Sequence, residues 1–312
     1  MSNFSEVEKD TKAIYIKQHR AFHKDTSIFD RFYANASKES TYGVPKGFFK
    51  GMRTVDIGCG NTAYFQKAMY DLGAVHITCV DIGEDWMPEM EAALESLNVP
   101  REFYTLIAGS ATDLPFADES FDFVASNGVI MHLDGVETAE RAFDEMARVT
   151  APGGMIYAYT GLSTGILDNY VLPAVRQAYR EQPKFAEYID TLTLDNFQAS
   201  VASVIDTTAE NDPEIAPAMT AALGMFTLDT ITFWQNVLQV PVQQGTALDH
   251  DWAIAQFEKH GFVDVRRTPP TFWHRKDVRR FLAPFHHNTD NPVSQLLYGD
   301  GHLKFVGFKP KA

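Results

Sequence analysis

Residues Val55-Asp56-Ile57-Gly58-Cys59-Gly60-Asn61-Thr62-Ala63 read as a buried strand that breaks into a glycine turn and opens a helix. Glycines suit such a turn because it is tight and because a ligand has to approach the backbone closely. Asp56 sits two positions before the first glycine, inside the strand end. Asp81 ends the next apolar run, Val75-His76-Ile77-Thr78-Cys79-Val80, 21 residues after Gly60. A carboxylate at that strand tip is placed to accept hydrogen bonds from a ribose diol.

Asp56 argues against a dinucleotide, because it lies where a pyrophosphate would approach. A ligand with an ammonium group and no phosphate suits it, and S-adenosylmethionine is one. Three further blocks follow in order: Val80-Asp81-Ile82-Gly83-Glu84-Asp85-Trp86-Met87, then Ala108-Gly109-Ser110-Ala111-Thr112-Asp113-Leu114-Pro115-Phe116 running on to Phe121-Asp122-Phe123-Val124, and Glu145-Met146-Ala147-Arg148-Val149-Thr150-Ala151-Pro152-Gly153-Gly154. Together these four blocks, from residue 53 to about 160, resemble a class I S-adenosylmethionine-dependent methyltransferase of the branch that modifies small molecules.

Alternating strand and helix patterns predict an α/β fold, a doubly wound Rossmann-like sheet. Strands are read near 53–57, 75–81, 103–108, 121–126 and 155–160. A helix near 137–150 stops before Pro152-Gly153-Gly154, and another near 249–260 ends at Gly261. Phe262-Val263-Asp264-Val265 begins a sixth strand and Leu303–Phe308 makes a seventh. The resemblance implies that this last strand is antiparallel and lies between strands five and six. Three segments fall outside the minimal fold. Residues 1–50 form a helical N-terminal cap, with Tyr15, His19 and Phe22 on one face and then Ile28, Phe29, Phe32 and Tyr33. Residues 161–248 are a helical insertion after strand five, where Val171, Val175, Ala178 and Tyr179 recur at helical spacing and Pro173 suits a first turn. Ligands bind at the carboxyl ends of strands in open parallel sheets, so an insertion leaving strand five is placed to act as a substrate lid. Residues 268–301 are a smaller insertion, and 51–160 with 249–312 make up the cofactor-binding domain.

The resemblance assigns Asp56, Gly58, Cys59 and Gly60 to the methionine half of S-adenosylmethionine and Asp81 to its ribose. Ile82 belongs to the same cofactor-binding set, and Trp86 or Met87 covers a face of the adenine. Ala111 presents its N–H to the adenine edge, and Asn127 faces the reactive end. Many relatives carry an acidic residue just before Ala111, but here that position is Ser110, with Asp113 as a stand-in. Transfer from a sulfonium is an in-line displacement, and a general base is needed only for an acceptor that arrives protonated. His132, after strand four, is the base candidate, and Tyr159, at the end of strand five, is a second pocket residue. His286-His287 lacks the accompanying ligands of a metal motif, so no metal site is expected.

A net charge of −14 over 312 residues disfavours a nucleic-acid partner. The exception is a basic cluster, Arg266, Arg267, His274, Arg275, Lys276, Arg279 and Arg280, which reads as a solvated face or as a clamp for a carboxylate or phosphate. Aromatic side chains punctuate both insertions: Phe226, Phe233 and Trp234 in the first, Phe272, Trp273, Phe281 and Phe285 in the second. They read as the insertions' own core or as an enclosure for an apolar or cationic group. The first residues lack a signal-peptide pattern, no stretch is long enough to span a bilayer, and Cys59 and Cys79 fall in the core; a cytoplasmic enzyme is expected. Methyl transfer to O, N or S of a small metabolite, with carboxylate-bearing ones among the candidates, is the leading expectation. Two alternatives stay open: a methyltransferase acting on tRNA or protein, and a non-catalytic S-adenosylmethionine-binding sensor. The oligomeric state is not legible.

Overall fold

Alternate residues of each central strand face opposite sides, and in this chain both sides are apolar. Val55, Ile57, Val124, Ile156 and Ala158 enter one buried cluster, while Ile77, Cys79, Phe123, Ala125, Met155 and Tyr157 enter another. A strand buried on both faces has to be covered by helices above and below, which is the parallel-sheet solution. The computed structural model describes residues 5–22, 26–161, 165–223, 228–242, 245–268, 292, 296 and 303–311, and it has this arrangement. The side chains of Phe22, Ile28 and Phe233 lie outside the described set. So do Phe226, Phe272, Trp273, His274, Arg275, Lys276, Arg279, Arg280, Phe281, Phe285, His286 and His287.

The strands are β1 Arg53–Ile57, β2 His76–Asp81, β3 Tyr104–Ala108, β4 Phe121–Asn127, β5 Thr150–Gly161, β6 Val263–Arg267 and β7 Leu303–Phe308. They form one seven-stranded sheet in the order β3-β2-β1-β4-β5-β7-β6. The first five pair in parallel, and β7 runs antiparallel between β5 and β6. The helices of this part are α1 Glu6–Phe22, α2 Thr26–Ala36, α3 Tyr64–Asp71, α4 Met87–Ser96 and α5 Val136–Val149. On one face α5 buries Ala139, Ala142, Phe143 and Met146; on the other α3 buries Phe65, Ala68 and Met69.

β5 starts earlier than the pattern predicts. Pro152-Gly153-Gly154 reads as a turn, yet the strand runs through it, and the register shifts between Phe121, which pairs with Thr150, and Phe123, which pairs with Met155. Gly153 has φ +79°, and a Cβ on Gly154 would stand 2.8 Å from the Ala151 carbonyl oxygen. The glycines thus absorb a bulge, across which the Gly153 N–H donates to the Lys309 carbonyl and the Lys309 N–H donates to the Gly154 carbonyl.

The chain divides into two units, Met1–Thr164 with Val240–Phe272 and His302–Ala312, and Gly165–Gln239 with Trp273–Gly301. The second contains α6 Leu172–Glu181, α7 Pro183–Thr191, α8 Leu194–Asn211, α9 Ala216–Leu223 and α10 Leu228–Gln239. Pro173 occupies the first turn of α6. Gln235 on α10 donates to the carbonyls of Ile189 and Leu192 at 2.8 and 2.9 Å, closing the end of α7. In the first unit α11, His250–Lys259, is capped by Asp249, which accepts the Trp252 N–H, and Gly261 follows it at φ +71°. Among the described residues no helix is long and apolar enough to cross a membrane.

Candidate functional site

Strand order reverses between β1 and β4, and a crevice opens where their following loops diverge. The cleft there encloses about 760 Å³, including space open to solvent. From the sheet side it is lined by Gly58, Asp81, Ile82, Ala111, Asn127 and His132. From the other side α1 contributes Glu8, Thr11, Lys12, Tyr15 and His19.

The glycine turn is sterically obligatory. Gly58 has φ +76°, and a Cβ there would meet Val129 Cγ2 at 1.9 Å. Gly60, at φ +58°, faces the His19 ring, where a Cβ would stand 2.6 Å from Cε1. The turn is tied to β2 because Asp81 Oδ2 accepts the Gly60 N–H at 3.0 Å. Burial pushes the Asp81 carboxyl up to about 6, against the N–H groups of Gly60 and Ile82, the Lys12 charge and the Trp86 indole, which favour its ionised form.

Asp56 lies behind this turn and does not line the cleft. It is buried, accepts from Gln66 Nε2 at 2.8 Å, and burial raises it to about 7. A carboxyl with an ordinary value of 3.8 and a folded value near 7 binds its proton more tightly in the fold. Its contribution to stability is full below about pH 4 and is lost as pH rises through 7. Asp56→Asn should therefore raise the unfolding free energy at pH 8 by about 2–4 kcal/mol and leave it unchanged at pH 4. Denaturant unfolding of both proteins at the two pH values checks this; an equal effect at both would mean that packing, not charge, separates them.

At the β4 end, Tyr15 Oη lies 2.5 Å from His132 Nε2, and His132 Nδ1 lies 3.2 Å from the Val242 carbonyl oxygen. A carbonyl only accepts, so Nδ1 carries the hydrogen and Nε2 offers its lone pair to the Tyr15 hydroxyl. Asn127 donates from Nδ2 to Tyr64 Oη at 3.1 Å. Two buried polar atoms on cleft residues, Asn127 Oδ1 and Thr11 Oγ1, have no hydrogen-bond partner among the described residues.

The remaining predicted residues fall beside the cleft. Cys59 is a buried free thiol in the second cluster, with Cys79 also free. Trp86 is 2% exposed and packs in that same cluster, so it does not cover a cleft face; it stands behind Asp81. Met87 begins α4, also outside the lining. Ser110 is buried and donates to Glu8 Oε1 at 2.6 Å, while Asp113 is exposed. Tyr159 packs against the first cluster with Lys304 Nζ 5.1 Å from its ring centre, and it stands next to the cleft residue Gly128.

The α1 residues carry no expected site role in the sequence. Their spacing of 8, 11, 12, 15 and 19 places them on one helix face, and the signal was that this face is polar and aromatic where an apolar stripe would mark simple packing.

A family model described as a methyltransferase domain matches residues 55–158. A demethylmenaquinone methyltransferase of Staphylococcus aureus (strain MRSA252) is 31% identical over 188 residues, 56% of this chain and 70% of that protein. A sterol 24-C-methyltransferase of Gibberella zeae is 30% identical over 143 residues, 45% of this chain and 35% of that protein. Among solved structures, a chain from the complex of the Haloferax volcanii Trm112 methyltransferase activator with a methyltransferase aligns with TM-score 0.52 and 15% identity, over 98% of this chain and 99% of that one. This last likeness speaks to the fold alone.

Proposed function

The chain belongs to the class I S-adenosylmethionine-dependent methyltransferases, and from that premise we propose that it methylates a small organic molecule in the cleft at the strand tips. The observation that carries this reading is the pairing of two chemistries in one cleft: a half-buried carboxylate tied to a glycine turn, and a histidine whose base nitrogen faces a tyrosine hydroxyl.

The cleft fits the cofactor. Asp81 is an acceptor at the tip of β2, suited to a ribose diol, and Asn127 Oδ1 is a buried acceptor still lacking a donor such as an ammonium. Gly58 lets the turn pack against Val129 at the cleft wall, where a side chain would force the wall to move. Bound there, S-adenosylmethionine supplies a methyl group on a positively charged sulfur. The protein's task is then to hold an acceptor in line, exclude water and take a proton where the acceptor carries one. His132 Nε2 does the last: an acceptor hydroxyl, thiol or ammonium that takes the place of Tyr15 Oη gives its proton to that nitrogen, with Nδ1–H anchored on Val242.

Two relatives named for small apolar acceptors, demethylmenaquinone and a sterol, support a small-molecule substrate. Within the basic cluster, Arg266 is engaged by Asp264, by the Gly43 carbonyl and by the Phe308 ring, which leaves it poorly placed to contact a nucleic acid.

Calorimetric titration with S-adenosylmethionine and S-adenosylhomocysteine tests the cofactor, and transfer of a labelled methyl group to a panel of small phenols, carboxylates, amines and thiols tests the reaction. Micromolar binding with transfer supports the proposal. Binding without transfer to any acceptor would favour a sensor, and no binding would remove the cofactor from this site.

A further inference from the structure

Ser110 stands where a carboxylate would receive the exocyclic amine of an adenine, and its own hydroxyl is fully engaged. It donates to Glu8 Oε1 at 2.6 Å, accepts the Thr112 N–H at 3.2 Å, and touches Thr112 Oγ1 at 2.9 Å. Asp113 is exposed and lies outside the cleft lining, so it does not replace the missing carboxylate. Glu8 does line the cleft, beside Ala111 and Gly109.

The helix start fixes Glu8 in that place. Ser5 and Glu8 form a reciprocal capping box: the Ser5 N–H donates to Glu8 Oε2 at 2.8 Å and the Glu8 N–H donates to Ser5 Oγ at 3.1 Å. One carboxylate oxygen thus secures the helix end while the other reaches 102 residues along the chain to Ser110. An ionised carboxylate is acceptor-only, and its two oxygens have about four lone-pair sites, so two single bonds leave capacity for a further donor.

We infer that Glu8, carried by α1, is the acceptor for the adenine amino group and sets selectivity for a 6-amino over a 6-oxo purine. The assignment rests on the S-adenosylmethionine reading above. A carboxylate offers an attractive partner to an amine and a repulsive one to a carbonyl, so the preference has both a positive and a negative part.

The test compares S-adenosylhomocysteine with S-inosylhomocysteine by calorimetry, in the wild-type chain, Glu8→Ala and Ser5→Ala. The wild type should prefer the adenosyl ligand by at least tenfold. Glu8→Ala should bring the ratio close to one, by weakening the adenosyl ligand and leaving the inosyl ligand unchanged or tighter. Ser5→Ala loosens the cap but keeps the carboxylate, and should keep the ratio. A parallel loss for both ligands in Glu8→Ala, or an equal collapse of the ratio in Ser5→Ala, would overturn the assignment and leave Glu8 a helix anchor. Failure of the wild type to bind either ligand would instead overturn the cofactor reading, and the assignment with it.

Discussion

His132→Gln should lower kcat by about 10²–10⁴-fold on a hydroxyl acceptor found by the labelling screen, with S-adenosylhomocysteine affinity little changed. The magnitude follows from losing a positioned base whose Nε2 lies 2.5 Å from the Tyr15 hydroxyl and whose Nδ1 is fixed by Val242. Tyr15 is not the base itself, because burial pushes its phenol well above the ordinary value. Tyr15→Phe removes a hydroxyl that the acceptor displaces from Nε2, and should change kcat by less than about tenfold. Single-turnover rates separate these effects from product release. A loss below tenfold in His132→Gln would show that the acceptor arrives deprotonated and that the imidazole is a wall of the cleft.

Asp81→Ala should weaken S-adenosylhomocysteine by about 1–3 kcal/mol, roughly five- to 150-fold. The upper part of that range is expected because Asp81 has two tasks. It offers acceptors to the ribose diol in our reading, and it holds the Gly60 N–H that shapes the turn. Asp81→Asn keeps a neutral acceptor for Gly60 and should lose less. With its carboxyl near 6 in the free protein, wild-type affinity should fall as pH drops below 6, because a protonated Asp81 is a poorer acceptor. Asp81→Asn should flatten that part of the profile. Unchanged affinity in a folded Asp81→Ala protein would displace the cofactor from this cleft.

The sheet was readable because strand periodicity and glycine turns are local signals. β1 and β7 fall on the residues the pattern predicts, and β2, β3 and β4 differ by one residue at an end. β5 departs because a bulge is defined by its neighbour: Gly154 is needed against the Asp122 and Ala151 carbonyls, which no local pattern reveals. The Glu145–Arg148 block resembles its family, yet its work here is mechanical. Arg148 binds the carbonyls of Leu114 and Phe116 while Glu145 takes the Leu114 N–H, and together they pin the loop after β3. The site divides in the same way. Gly58, Asp81, Ala111 and Asn127 are strand-tip positions, fixed by their own strands. Trp86 turns to the core because the surroundings of Asp81, not the neighbouring sequence, decide where its indole goes. Glu8 and Tyr15 meet partners 102 and 117 residues away, and a polar helix face read alone suggests only solvent.

The way α1 is attached has a kinetic consequence. From Glu8 to His19 it runs about 16 Å along the cleft, yet Thr11 is its one buried residue among those whose burial is described. Polar bonds at Ser110, Asp85 and His132 hold it down, with little apolar area to resist detachment. With so little buried apolar surface, this helix should open at lower free energy than the sheet it covers. A ligand seated between α1 and the strand tips would hold the helix down, so amide hydrogen exchange along Glu8–His19 should slow when S-adenosylhomocysteine is bound.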